Sequence, residues 1–333
     1  MSLYAAIDIH KHVFQAAVVD SESGEVTEAR FAATREKLED WAMRWQGRVE
    51  AVAVEATTGW RWVAQELQKR GFEVQLVDPG QASALQGRRR RPKTDRLDAR
   101  WLALLLSRKL APASWLPPPD IQRLRDQTRL RKALVDDHSC WAARIHALLT
   151  QEGWPCRRMR LLRPDGPRWV EGLPLSEGAR AYVQTALAVM ATISEQVAQL
   201  DAELGQLARR DPRLRALQTI YGVGPIIACH LLAEIGEARR FQRPRQLVRV
   251  AGLDPVVADS GERQRRGRLS KQGSPQLRWA LVQAAQHAAR SSSPDQALYR
   301  TVTARRDTGR AKLTIARKIA HRAYHVLAAA EAA

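Results

Sequence analysis

Cysteine is scarce in this chain. Its 333 residues hold three, Cys140, Cys156 and Cys229, and no two of them stand at a metal-ligand spacing. That argues against a disulfide framework and a cysteine-based zinc site, and it fits a reducing compartment. Long apolar runs are also missing, since no stretch approaches the ~18 consecutive apolar residues of a membrane span. The opening "MSLYAAIDIHKH" lacks the basic, apolar, small-residue order of a secretory leader. The expectation is a cytoplasmic protein with no membrane partner. Acidic residues are outnumbered: 35 Asp and Glu stand against 54 Lys and Arg, a formal net charge of +19. Internal repeats and low-complexity segments are absent as well, which argues against a solenoid. With 45% hydrophobic residues the chain is not a disordered basic tail but a folded protein. A folded chain with that excess of cations points to a polyanion, nucleic acid first.

The length allows two or three domains. Residues 1–116 alternate strand and helix signals. "LYAAIDI" (3–9), "VFQAAVVD" (13–20) and "GEVTEARF" (24–31) read as three strands. A helix over 34–46 follows, capped by Thr34 and with Leu38, Trp41 and Trp45 on one face. Then come a buried strand at 49–55, a helix over 60–71 closed by Gly71, and a strand at 72–78. Three strands, helix, strand, helix, strand is the order of a ribonuclease-H-like α/β fold. Three consecutive prolines (117–119) mark the boundary. Residues 117–210 read as a coiled-coil helical hairpin. The stretch 120–152 has no Gly or Pro, and Val183, Ala186, Met190, Ile193, Val197, Leu200, Leu204 and Leu207 recur in steps of three and four. Such a seam serves either internal packing or pairing with a second subunit. Residues 211–333 read as a further all-α domain with loops rich in glycine and arginine.

Four carboxylates stand out. Asp8 ends the first predicted strand, Glu55 ends the fourth, and Asp95 and Asp98 open a helix directly behind "RRRRP" (88–92). In a ribonuclease-H-like sheet the first and fourth strands are neighbours, so Asp8 and Glu55 point into one crevice. Asp95 and Asp98, at i and i+3, share a helix face. Converging carboxylates repel unless cations neutralise them, and Mg²⁺ or Mn²⁺ suits such hard oxygen donors. Taken singly, Asp8 could merely end a strand, and acids at a helix start favour the macrodipole. Arg88, Arg89, Arg90, Arg91 and Lys93 would hold phosphates by charge, although a basic run alone is usually a solvated loop.

Further along, Gly222 and Gly224 in "YGVGPII" place a glycine hairpin between two helices. This helix-hairpin-helix-like segment exposes backbone N–H groups and a helix start suited to phosphate, or it is simply a tight turn. Ser260 lies in "ADSGERQRRGR" ahead of Arg263, Arg265, Arg266 and Arg268, and Ser270 precedes Lys271. A serine among guanidinium groups is what a phosphoryl-transfer nucleophile needs. Ser-Gly alone usually marks only a turn.

Over nearly its full length the chain resembles the DEDD-type insertion-sequence transposases, described as bridge-RNA-guided recombinases with a RuvC-like N-terminal domain. The ordered matches are "AIDIHKHVFQAAVVD", "VAVEATTGW", "KTDRLDARWLA", "GVGPIIACHLLAEIG", "RFQRPRQLVRVAGLDP" and "DSGERQRRGRLSKQGSPQLRWAL". The resemblance implies that Asp8, Glu55, Asp95 and Asp98 form a metal-binding tetrad and that Ser260 is the nucleophile, with Ser270 in reserve. It also implies donor and target double-stranded DNA, a structured guide RNA encoded outside the protein, and a homo-oligomer, dimer or tetramer, in a prokaryotic cytoplasm. Tetrad and serine would come from different subunits. Three other classes compete. A Holliday-junction-resolvase-like nuclease would use the tetrad with water and leave Ser260 idle. A kinase-like ATPase needs a glycine loop after its first strand, which "DIHKHVF" lacks. A catalytically dead nucleic-acid binder would not need the intact tetrad.

Overall fold

Two strands buried on both faces, with a half-exposed third beside them, open the first part of the molecule. β1 (Leu3–Ile9), β2 (Val13–Asp20) and β3 (Val26–Ala32) form an antiparallel meander. After α1 (Arg35–Trp45), β4 (Val49–Glu55) returns to pair in parallel with β1. α2 (Trp60–Lys69) then leads to β5 (Val74–Val77), parallel to β4, giving the sheet order β3-β2-β1-β4-β5. This mixed five-stranded sheet is that of a ribonuclease-H-like domain. Thr34 caps α1 by accepting a hydrogen bond from the Lys37 amide, as its sequence position predicts. α3 (Pro79–Leu85) is a short helix that the sequence pattern does not announce, and α4 (Asp95–Ser107) completes this part. The computed structural model describes residues 2–85, 95–260 and 263–332, with 95–96, 257–260 and 263–268 described through their backbone.

Strand alternation sorts the side chains into two cores. Ile7, Phe14, Val18, Val52 and Val54 face one way, toward Leu38, Trp41 and Trp45 of α1 and Val63 and Leu67 of α2. Ala6, Ala17, Ala51 and Ala53 face the other way, toward Ala99, Leu102, Ala103 and Leu106 of α4. Alanines on both partners let α4 lie close against β1 and β2. The parity of that second face decides where the strand-end acids point.

The chain divides into two compact units, Met1–Leu116 and Pro117–Ala333. In the second, α5 (Pro119–Gln151) and α8 (Glu177–Arg210) form a long antiparallel hairpin whose connection holds α6 (Arg158–Leu161) and α7 (Gly166–Glu171). Ala142, Ile145 and Leu149 of α5 meet Val183, Ala186 and Met190 of α8, while the Arg131 guanidinium grips the Asp201 carboxylate with both arms. The seam read from the sequence is therefore largely internal; Leu130 and Leu207 remain exposed.

α9 (Pro212–Leu217), α10 (Pro225–Ile235) and α11 (Pro244–Val250) follow. The expected all-α character of 211–333 fails at the next element. Residues 255–269 form a two-stranded antiparallel ribbon, β6 (Pro255–Ser260) and β7 (Arg263–Leu269). Its second strand, "RQRRGRL", carries no apolar alternation, so the periodicity that marks a half-buried strand is missing. α12 (Pro275–Ala285), α13 (Gln296–Arg305) and α14 (Thr308–Ala332) close the unit, with α14 packed on α9, α11, α12 and α13.

Candidate active site

The parallel register of β1 and β4 sets Ile7 opposite Val54, which brings Asp8 and Glu55, the next residue of each strand, side by side at the sheet edge. Asp8 has the parity of Tyr4 and Ala6, and Glu55 that of Ala51 and Ala53, so both belong to the face that α4 covers. Asp8 is 4% exposed, Glu55 is half-buried, and His10 Nε2 lies 3.2 Å from Asp8 Oδ2. Asp95 is the first residue of α4 and Asp98, half-buried, stands one turn on. α4 packs on β1, β2 and β4, so its first turn belongs to the same face as the two strand-end acids. Among the residues described with side chains, no group of three His, Cys, Asp or Glu is already closed around a metal-sized space. Arg88, Arg89, Arg90, Arg91 and Lys93 lie outside the described residues.

Ser260 is the last residue of β6 and pairs with Arg263, the first of β7, so it stands at the tip of the ribbon beside the Gly261–Glu262 connection. Arg265, Arg266 and Arg268 follow on the same strand, described through their backbone. Between Val257↔Arg266 and Pro255↔Leu269 the register slips by one residue, a bulge on β7 around Gly267 that re-aims the ribbon. Ser270 sits at the opposite end. Its hydroxyl donates to Asp254 Oδ1 at 2.6 Å, and its amide donates to the Asp254 carbonyl at 2.8 Å. The two serines thus occupy different ends of one hairpin, and Ser270 fastens the base. Lys271 turns the chain there with φ of 51°. Gly252 beneath it has φ of 62°, and a Cβ on it would meet Lys271 Cα at 2.9 Å, so only glycine permits this approach.

The glycine hairpin separates into two different roles. Gly222 has φ of 85°, and a Cβ there would lie 2.4 Å from the Ala284 carbonyl oxygen of α12, so this glycine is required by packing. Gly224 faces open space as the N-cap of α10, with no side-chain cap over the first amides. Of the pair, Gly224 is the one whose surroundings suit a phosphate.

Residues that carry no signal in the sequence gather below α10. Glu234, 4% exposed, accepts two hydrogen bonds from the Arg129 guanidinium (3.0 and 2.9 Å) and one from the Ser274 hydroxyl (2.8 Å). Arg125 and Arg240 donate to the carbonyls that end the helix. Burial pushes the Arg240 guanidinium down to about 10, with Arg125 adding to the shift and Glu234 opposing it. One turn earlier His230 is 1% exposed against Trp279, with ring centroids 4.8 Å apart. Burial pushes its imidazole down to about 4, helped by Arg131 and Lys132. Between pH 6.5 and about 4 the unfolded chain therefore binds a proton there that the folded chain refuses. Stability contributed by neutral His230 is present above its unfolded pKa and is lost as pH falls through that window. Thermal melts are expected to drop across it, and His230→Phe should flatten the drop; an equal slope in both chains would contradict this assignment.

A ribonuclease-H-like sheet with carboxylates at adjacent strand ends, followed by a helical unit with an arginine-rich ribbon, is an architecture suited to cutting and joining nucleic-acid strands. Comparison with known proteins agrees. A transposase model of the DEDD type matches residues 5–153, and the model of the transposase IS116/IS110/IS902 family matches residues 214–300. A Sinorhizobium fredii protein assigned as transposase y4rJ is 30% identical over 279 residues, 77% of this chain and 69% of its own length. The transposase for insertion sequence element IS1111A of Coxiella burnetii is 26% identical over 94% of this chain and 86% of its own. The chain belongs to the IS116/IS110/IS902 family of insertion-sequence transposases.

Proposed function

We propose that this transposase acts as an RNA-guided recombinase, joining donor and target DNA through a covalent phosphoserine. The observation that carries the reading is the adjacency of Asp8 and Glu55 on the sheet face that α4 covers. Asp8, Glu55, Asp95 and Asp98 are an all-oxygen donor set and would hold Mg²⁺, with Mn²⁺ a substitute on the same donors. A cation held there would supply positive charge against the scissile phosphate. Ser260 Oγ attacks phosphorus and the P–O3′ bond breaks. The 3′-hydroxyl leaves with a proton, and the 5′-phosphate stays on the serine. A 3′-hydroxyl of the partner DNA then attacks the phosphoserine, restoring the serine and sealing the new strand. Bond energy is conserved, so no nucleotide cofactor is consumed. Both DNA partners are double-stranded and specified by one structured guide RNA. A homo-oligomer, dimer or tetramer, brings tetrad and serine together.

Ser260 is favoured over Ser270 because Ser270 is fastened to Asp254 at the ribbon base. The test is covalent trapping: protein with co-expressed RNA is incubated with end-labelled DNA and Mg²⁺ or EDTA. An adduct on a denaturing gel is expected for the parent and for Ser270→Ala, and none for Ser260→Ala, Asp95→Ala or EDTA. Cleaved ends without an adduct, indifferent to Ser260→Ala, would establish the water-using nuclease instead.

A further inference from the structure

A groove of about 780 Å³ opens in the second unit between α11 and α14, floored by Asp254 and Pro255 where β6 begins. Arg243, Arg245 and Arg249 project from one wall and are exposed, and Arg317 and His321 come from α14 opposite. Among the described residues none of those three wall arginines has a carboxylate partner. Asp254, the one acid in the groove's described lining, is already bonded to Ser270. Arg317 is held in place by donating Nε to the Leu253 carbonyl at 2.7 Å. Burial lowers its pKa while Asp254 beside it opposes the shift. Four guanidiniums against one engaged carboxylate would repel one another in an empty groove and attract a polyanion. The described lining includes no Phe, Tyr or Trp, so it has no platform on which bases could stack. What the groove matches is a run of phosphates.

We infer that this groove is a sequence-independent binding site for the phosphodiester backbone of a nucleic-acid strand, held by Arg243, Arg245, Arg249 and Arg317. This rests on the recombinase reading and deepens it. Pro255 at the groove floor and Ser260 at the ribbon tip are separated by the length of β6, about 17 Å at ~3.4 Å per residue. That is roughly five nucleotide steps along one strand of B-form DNA at ~3.4 Å each. A strand seated in the groove would therefore be anchored a few nucleotides from the phosphate that meets the serine, which fixes register without reading sequence. The sequence holds part of this signal, because "RPRQLVR" spaces three arginines along one short helix and the residue before it.

The test uses the full chain and fluorescein-labelled single strands of about 20 nucleotides, mixed sequence, as DNA in one arm and RNA in the other. Anisotropy gives Kd as a function of NaCl. Arg243→Gln, Arg245→Gln and Arg249→Gln combined are expected to lower the log–log salt slope by about 2, since each lost phosphate contact on a single strand removes ~0.7. Binding at low salt should weaken at least tenfold and equally for unrelated sequences. The arm in which the slope falls names the strand that the groove serves. A control with the same charge loss at exposed Arg30, Arg44 and Arg48 of the first unit should leave the slope near that of the parent. Arg245→Glu alone, at an exposed position, carries the same test if the triple variant melts early. A groove variant indistinguishable from the control in both arms would overturn the inference while the recombinase reading stands. A parent chain that binds neither strand would likewise overturn the inference, while the recombinase reading, whose DNA partners are double-stranded, is decided by the covalent-trapping test.

Discussion

A Glu55→Gln chain is expected to lose strand transfer by about three orders of magnitude while melting no lower than its parent in EDTA. The first half follows from charge. On the proposed metal-dependent mechanism, removing one oxygen anion from the donor set sacrifices several kcal/mol of transition-state stabilisation, and each ~1.36 kcal/mol is tenfold in rate. The second half follows from position. Glu55 is half-buried at its strand end beside Asp8, a second carboxylate that is almost fully buried, so the amide keeps the side chain's shape and relieves a like-charge repulsion. The two halves together separate a functional acid from a structural one. A further readout needs no activity at all. In the parent, Mg²⁺ at ten times its Kd should stabilise the first unit by about 1.4 kcal/mol, which is roughly 4–8 °C for a domain of this size. Glu55→Gln should abolish that rise, as should Asp8→Asn. A parent whose melting temperature ignores Mg²⁺, or a Glu55→Gln chain that retains strand transfer, would remove Glu55 from the metal site.

The strand-end acids are legible in the amino-acid sequence for a physical reason. β4 is apolar over "AVAV" and then ends in Glu55, and a carboxylate at the end of a buried run needs a partner. β1 repeats the arrangement with Asp8. The sheet order that makes them neighbours follows from strand and helix succession, because short apolar β-rich runs alternate with segments of 3.6-residue period over 3–77. The ribbon is not legible in the same way. A strand of four arginines, a glutamine, a glycine and a closing leucine offers no apolar alternation for a pattern to reveal, and the Ser270–Asp254 bond that fastens its base joins residues 16 apart in sequence. The groove is hidden for a related reason: its walls are 68 residues apart in sequence at Arg249 and Arg317, and charge alone does not say which arginines face each other. Glu234 escapes notice because "LLAEIGE" reads as an ordinary helix end, with no sign that Arg129 of α5 would reach its carboxylate while Arg125 and Arg240 bond the carbonyls beside it.

Glu234→Ala is expected to be the most destabilising single change in the second unit, by about 3–5 kcal/mol, the usual cost of removing one partner of a buried ion pair. Arg129 can swing toward solvent, being half exposed, but Arg125 and Arg240 cannot, since their nitrogens are committed to the Ala233 and Glu234 carbonyls. Without the carboxylate Arg125 still feels the repulsion of Arg129 and Arg240 that of Arg125, and both half-buried cations lose Glu234 as an offset, with Glu237 remaining only for Arg240. Glu234→Gln keeps the shape and part of the hydrogen bonding, so its loss should be smaller, about 1–3 kcal/mol. For a unit of this size, ~2–4 °C per kcal/mol turns these into a fall of roughly 10 °C for alanine and half that or less for glutamine. The consequence reaches the ribbon. The Ser274 hydroxyl bridges Glu234 and the first turn of α12, and the Ser274 amide donates to Val250 at 2.8 Å. Lys271, three residues earlier, donates to Gly252 at 3.2 Å and turns the chain into β7's base. Loosening Glu234 thus frees the segment that fastens the hairpin carrying Ser260. Covalent-adduct formation by Glu234→Gln should decline with temperature well before the unit melts, and Ser274→Ala should reproduce the decline without the large loss of stability. If Glu234→Ala melts within about 1 kcal/mol of the parent, the carboxylate does not hold these arginines together and the link to the ribbon fails with it.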